Sequence, residues 1–311
     1  MTLESVARKD FRDAIRSRWL LGLTLFFTLL IGGSAALFFG YLLRGDGANS
    51  ESLFGFTSTL QQLFSVFGFS YTGMIGFILA LIALVTAHGA LIDERESGTL
   101  KLLLSQPNSR RDVVFGKLLG RSLVVSLSML AGFVAAFVVM AVTGTQILFT
   151  PYLGQVALSG LLATSFVSIG IWLSASSDSQ RQAFFGTIGI YFIFSVLWAA
   201  VSTGVPRLLN WALQELPGLD TLTTVQIFQM RLFIKYLNPL RAYETLSVQL
   251  YDSAIAARLF KTGLSERLAL EPVFAESLPF YFSGEFIFLI LLGWIVIPPM
   301  LGYWTFKRVD L

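Results

Sequence analysis

The chain contains no cysteine, which excludes disulfides and thiolate metal sites. A single histidine and six methionines leave little for a dedicated soft-metal site. The zinc-hydrolase pattern H-E-x-x-H and the nucleophile elbow G-x-S-x-G are both missing. So is the phosphate loop G-x-x-x-x-G-K-[ST], so the chain does not itself bind ATP by that route. Charge is scarce as well: 13% of residues are Asp, Glu, Lys or Arg, against about 25% in soluble domains. It is also unevenly placed. Nothing from Ser52 to Ile92, or from Ser122 to Ser177, is charged.

What the chain has instead is hydrocarbon-like surface. It is 55% hydrophobic, with a mean hydropathy of +0.71, and its 311 residues read as a polytopic membrane protein. The sequence pI near 9.2 reflects topology-determining Lys and Arg and needs no nucleic acid to explain it. The first apolar run, Trp19–Leu43, is longer than the core of a signal peptide, so it reads as a retained span.

The uncharged runs are too long for one crossing each. They divide at breakers into six spans, at about 18–43, 71–92, 113–142, 152–174, 183–202 and 285–306. The part before about Phe69 reads as an outer interfacial or re-entrant segment. Residues 1–18 are amphipathic: Leu3, Val6, Ala7, Phe11, Ala14 and Ile15 share one face, and Arg8, Arg12 and Arg16 the other. Such a basic helix before a span is expected to lie in the inner headgroup layer, with Glu4 pairing to Arg8. Fourteen basic residues fall on one side of the bilayer, and outside the long loop only Arg44 falls on the other. That asymmetry places both termini in the cytoplasm and the loop 203–284 outside. Within the loop, Asn238-Pro239 reads as an N-cap followed by Pro at N1, opening a helix to about Gln249. The expected fold is all-α, a single transmembrane domain of six helices in the cell membrane.

Between the two longest uncharged runs lies Asp93–Arg121, with ten charges, six of them basic. Charge at a bilayer centre costs roughly 2.5–3.5 kcal/mol per residue, so this stretch sits in water. Ser97-Gly98 punctuates it, and Thr99 can cap a short helix in which Leu100, Leu103 and Leu104 share a face. Pro107 stops that helix, and Ser109 with Asp112 forms a capping box for re-entry. The leucine face either fills a groove on a partner or rests on lipid headgroups. Gly116 and Gly120 permit close helix approach. His88, near the inner end of span 2, reads as a packing or hydrogen-bonding residue.

Glu94-Arg95-Glu96-x-Gly98-Thr99-Leu100-x-x-Leu103-Leu104-Ser105-x-Pro107-x-Ser109-Arg110, with Gly116-Lys117 beyond, closely resembles the signature of ABC-2 type transporter permeases. The basic start ending in Arg16-Ser17-Arg18, the Asn238-Pro239-Leu240 stretch and the ending Phe306-Lys307-Arg308-Val309-Asp310-Leu311 extend the resemblance over most of the chain. Within that family it is most similar to single-domain permeases, including those associated with maturation of copper enzymes such as nitrous-oxide reductase. The resemblance implies a non-enzymatic permease subunit that drives export or a maturation process. ATP and Mg would be bound and hydrolysed on a separate ATP-binding partner. Glu94, Arg95, Glu96, Gly98, Thr99, Leu100, Leu103, Leu104, Ser105 and Pro107 would form the coupling element in a groove of that ATPase. Asp178 and Gln182, in the turn Asp178–Gln182, would make the second contact. The permease would pair with a copy of itself or with a related permease, and residues 1–18 would be the connector helix.

Two other classes fit six spans. Ion-coupled carriers keep ionisable residues at mid-membrane, and here no Asp, Glu, Lys or Arg lies at the middle of an assigned span. An intramembrane enzyme would have only scattered Ser, Thr and Tyr, which ordinarily serve helix packing.

Overall fold

The computed structural model describes residues 3–15, 18–42, 50–54, 70–99, 109–216 and 220–307. Among them are helices and no strands. Six of the helices are long and apolar enough to cross a membrane. Span 1 is Arg18–Leu42, span 2 Tyr71–Glu96, span 3 Arg110–Thr143, span 4 Phe149–Ser176, span 5 Gln180–Gln214 and span 6 Gly284–Lys307. The chain is therefore the all-α, six-span protein that its hydropathy implies. The expected turn at Arg44–Gly47, the segment 55–69, the leucine face with Leu100, Leu103, Leu104, Ser105 and Pro107, and the last four residues lie outside the described residues.

Local chemistry sets the helix ends. The Ser70 hydroxyl accepts from the Gly73 amide and opens span 2. At span 3 the predicted capping box is present: the Asp112 amide donates to Ser109 Oγ, and the Ser109 amide donates to Asp112 Oδ2, both at 3.1 Å. Gly144, at φ +72°, closes span 3 in the left-handed conformation that an L side chain rarely adopts.

Span 4 is the hub, packing against spans 2, 3 and 6. Its hydroxyls link neighbours: Tyr152 donates to the Phe133 carbonyl at 2.6 Å, and Ser168 to the Trp294 carbonyl at 2.9 Å. Such bonds hold helices together where no water competes. Close backbone approach does the rest. A Cβ at Gly170 would lie 2.6 Å from Ala87 Cβ, so spans 4 and 2 meet only because residue 170 has none. Span 5, by contrast, leaves most of its apolar surface exposed.

The loop is partly helical, as its Asn238-Pro239 helix start implies, but the helix before it ends later than expected. Span 5 does not stop near Ser202; its helix runs through buried Pro206 to Gln214. Gly204 and Pro206 look like breakers in sequence, yet the surrounding helix tolerates them, as membrane helices do. The remainder also folds back into the helix bundle. Thr224–Leu237 runs in and Pro239–Gln249 runs out, joined at Asn238, the expected N-cap, whose Oδ1 accepts from the Leu240 amide at 2.8 Å. The Asn238 amide Nδ2 donates to the Phe194 carbonyl at 2.7 Å, and Trp294 Nε1 donates to the Leu237 carbonyl at 2.8 Å. Phe194 lies in a π-helical turn of span 5, Ile193–Leu197, where the ordinary backbone ladder is interrupted and a carbonyl is free to accept. The tip of this hairpin therefore reaches the middle of spans 5 and 6.

Candidate functional site

Span 2 leaves the bundle through a turn at residues 88–91. The amides of Leu91 and Ile92 both donate to Ser174 Oγ of span 4, at 2.9 and 3.1 Å. His88 Nδ1 pairs with the Val85 carbonyl at 2.7 Å, and its ring meets Phe184 edge-on, a packing role as expected. The short helix Ile92–Glu96 follows, and Gly98 then adopts φ +74°. Thr99 Oγ1 pairs with Ser97 Oγ at 2.9 Å and donates to the Glu94 carbonyl at 3.3 Å. A left-handed glycine with two hydroxyls folded back on the preceding turn fixes the direction in which the chain departs toward Leu100.

The acidic and basic side chains of this exit tie it to three other elements. Glu94 accepts from Lys117 of span 3 at 2.8 Å, and Lys117 also faces Asp10 of the N-terminal helix at 3.6 Å. Asp10 pairs with Arg121 at 3.1 Å, and Arg121 donates to the Thr86 carbonyl at 2.8 Å. Lys117 is 3% exposed, and the two carboxylates that face it, Glu94 and Asp10, supply the counter-charge that a buried cation needs. Arg95 reaches the Ser177 carbonyl at 3.4 Å and Asp178 at 3.9 Å. Glu96 accepts from the Gln180 amide at 2.8 Å, while the Gln182 side chain accepts from the Asp178 amide at 2.8 Å. At re-entry, Arg110 donates to the carbonyls of Phe306 and Lys307 at 2.5 and 3.1 Å.

The sequence-predicted residues Glu94, Arg95, Glu96, Gly98, Thr99, Asp178 and Gln182 are thus brought to one surface. Its two segments are 84 residues apart in the chain and joined by hydrogen bonds. Leu100, Leu103, Leu104, Ser105 and Pro107 lie outside the described residues. Asp10 has no place in the sequence reading, and Lys117 and Arg121, though within the charged stretch, have no role there. Their signal was there: Lys117 and Arg121 lie one turn apart in an apolar helix, beside Gly116 and Gly120, and need a counter-charge. The two glycines admit the N-terminal helix that supplies it. A Cβ at Gly116 would lie 2.7 Å from Val6 Cβ, and one at Gly120 2.8 Å from Asp10 Oδ2.

The model of the ABC-2 family transporter proteins matches residues 5–311. The chain belongs to that family. This ABC-2 permease is 28% identical, over 98% of its length and 97% of the relative's, to the probable ABC transporter permease protein NosY of Stutzerimonas stutzeri. It is 31% identical to the protein of the same name in Pseudomonas aeruginosa, over 67% of this chain and 76% of that one. The family is one of membrane permeases, and the six apolar helices of this member agree with it. Its signature segment, Glu94–Arg110, is the one whose described part is cross-linked to the N-terminal helix, the span 4–5 turn and the end of span 6.

Proposed function

We propose that this permease couples a separate ATPase subunit to transport or to a maturation process, with ATP and Mg held on that partner. Segments 94–112 and 176–182 face the cytoplasm, as do both termini, and the loop 203–284, whose first part continues the helix of span 5 to Gln214, faces outward. The leucine face of residues 100–104 fills a groove of the ATPase, and Asp178–Gln182 touches it beside that groove. Two permeases and two ATPases make the working unit. The observation that carries this reading is the Glu96–Gln180 hydrogen bond, which joins the two candidate contact segments into one surface. The basic-residue asymmetry sets its side of the membrane. A partner that pushes on this surface moves the N-terminal helix and the ends of spans 2, 3 and 6 together, because ion pairs and hydrogen bonds bind them to it.

The double change Leu103→Asp, Leu104→Asp tests the docking. It removes two apolar contacts, each worth about 1.5–3 kcal/mol in transfer terms, and puts carboxylates in their place. Normal membrane levels with weak recovery of the ATPase are expected in a quantitative pull-down. Wild-type recovery of the ATPase would place those leucines on lipid instead. Single cysteines at Ser105 and Ser253 report the sidedness: an impermeant reagent on intact cells should label Ser253→Cys and leave Ser105→Cys untouched.

A further inference from the structure

The loop hairpin does more than fill space against span 5. Between them lies a cavity of about 230 Å³, lined by Trp198, Ser202, Arg231, Lys235, Lys261 and Glu266 among others. A water molecule occupies about 30 Å³ of liquid, so the cavity has room for a ligand of several heavy atoms. Its charge is unbalanced. Four cations line it, Arg231, Lys235, Arg241 and Lys261, and two carboxylates face them. Glu266 is taken by Arg231 at 3.2 Å. Glu244, behind the wall, is shared by Arg241 at 2.9 Å and Lys261 at 2.7 Å. Lys235 forms no ion pair among the described residues; its Nζ donates to the Phe260 carbonyl at 2.8 Å. Four positive against two negative leaves an excess of two in a partly desolvated space, an arrangement that a bound anion relieves.

The backbone also presents one of these cations at a cost. Lys261 has φ +57°, and it is the one non-glycine residue with positive φ among the described residues. Such a conformation persists only where the surrounding structure fixes it, and here the Lys261 ammonium is held to Glu244 at 2.7 Å. Burial pushes the Lys235 ammonium down, with Glu244 opposing, to a pKa of about 8. Burial raises the Glu266 carboxyl, with Arg231 opposing.

We propose that this cavity is a binding site for a phosphate-like oxyanion, held by Lys235, Arg231 and Lys261 against the Trp198 wall. Guanidinium and ammonium groups together recognise such tetrahedral anions, the first through paired planar donors and the second as a point charge. The anion comes either free, as inorganic phosphate or sulfate, or as the headgroup phosphate of a lipid.

Calorimetric titration of the detergent-purified full chain with sodium sulfate and sodium phosphate, with chloride as control, tests the free form. Native mass spectrometry of the same preparation tests for a retained phospholipid. Saturable one-to-one heat, weakened about tenfold or more in Lys235→Gln and kept in Lys235→Arg, supports the free anion. A phospholipid retained by the wild type and by Lys235→Arg, and lost in Lys235→Gln, supports the lipid source. A wild-type chain that shows neither heat nor retained lipid overturns the site whatever the variants do. Equal binding by wild type and Lys235→Gln overturns it too.

Discussion

The two ends of the bundle handle charge in opposite ways. At the signature end, Asp93, Glu96, Asp178 and Arg181 stay exposed, and the buried Lys117 sits just behind them. At the loop end, Glu244, Glu266 and Arg258 are taken inside. Arg258 is fully buried, donating to the Phe282 carbonyl at 2.5 Å and to Gln249 at 2.7 Å. The first arrangement leaves a polar surface on stiff supports, which suits contact with a soluble partner. The second encloses polar groups in a folded lid that reaches the middle of the helices. Position along the chain does not distinguish them, since both are loops between spans. The difference lies in whether the connecting segment can bury itself: the loop-end hairpin brings its own apolar residues, Leu232, Tyr236, Tyr243 and Leu246, and the signature exit brings few.

The sharpest way to break the contrast is at Glu244. It accepts from Ser70, Arg241 and Lys261, so it pins the returning hairpin helix to the start of span 2. Glu244→Ala leaves two cations facing a buried gap, and a loss of about 3–5 kcal/mol is expected, read as a fall in thermal stability of the purified chain. Acid should do the same more gently. Burial pushes this carboxyl up, but Lys261 and Arg241 outweigh it and hold the pKa down, to about 2 from an ordinary 4.5. A depressed folded-state value contributes stability that is present above 4.5 and is lost as the pH falls from there toward 2. Melting curves between those limits should slope in the wild type and flatten in Glu244→Gln.

At the signature end the matching change is Lys117→Met. It leaves Glu94 and Asp10 facing each other without the cation between them. Glu94 is part-exposed, so water screens some of the cost, and about 1–3 kcal/mol is expected. Adding Glu94→Gln should restore much of it, because neutralising both partners removes the uncompensated charge. A double mutant no more stable than the single one would show that Glu94 carries no costly uncompensated charge once Lys117 is gone. A third change tests the helix contact alone. Gly116→Val forces a side chain against Val6 and the Leu3 carbonyl, overpacking that costs about 1–3 kcal/mol locally. Limited trypsin digestion should then cut at Arg8, Lys9 or Arg12 faster than in wild type.

Much of this contrast was legible in the sequence. Six spans follow from charge-free runs of bilayer length, and the capping box at Ser109 and the Asn238-Pro239 helix start were readable because each depends on neighbours within three residues. The signature exit was legible as charge between two hydrocarbon runs. The extent of span 5 was not, because Gly204 and Pro206 break an isolated helix and a packed one carries them. The hairpin's depth was also hidden: it depends on Asn238 meeting a carbonyl freed by a π turn 44 residues earlier. The ion pairs of Asp10 with Lys117 and Arg121 span more than a hundred residues, and only the glycines beside those cations hinted at a visiting helix.

The smallest stability effect sharpens the comparison most. Glu96 is exposed, and among the described residues its inter-segment bond goes to the Gln180 amide at 2.8 Å, in the first turn of span 5. Water competes freely for both groups, so Glu96→Ala should change the stability of the isolated permease by no more than about 1 kcal/mol. Its consequence for coupling should be larger in kind. The bond is one of the links between the exit of span 2 and the span 4–5 turn, beside those of Arg95 to the Ser177 carbonyl and to Asp178; without it the two segments are held at fewer points. A partner pressing on one would then move the other less. The expected outcome is an unchanged melting temperature, ATPase still recovered in a pull-down, and less transport per ATP hydrolysed. Glu96→Gln, whose side-chain oxygen still accepts from an amide, should recover most of that ratio. If Glu96→Ala transports as much per ATP as wild type, the two segments act separately, and the surface that the hydrogen bond draws is not the unit through which force enters the helices.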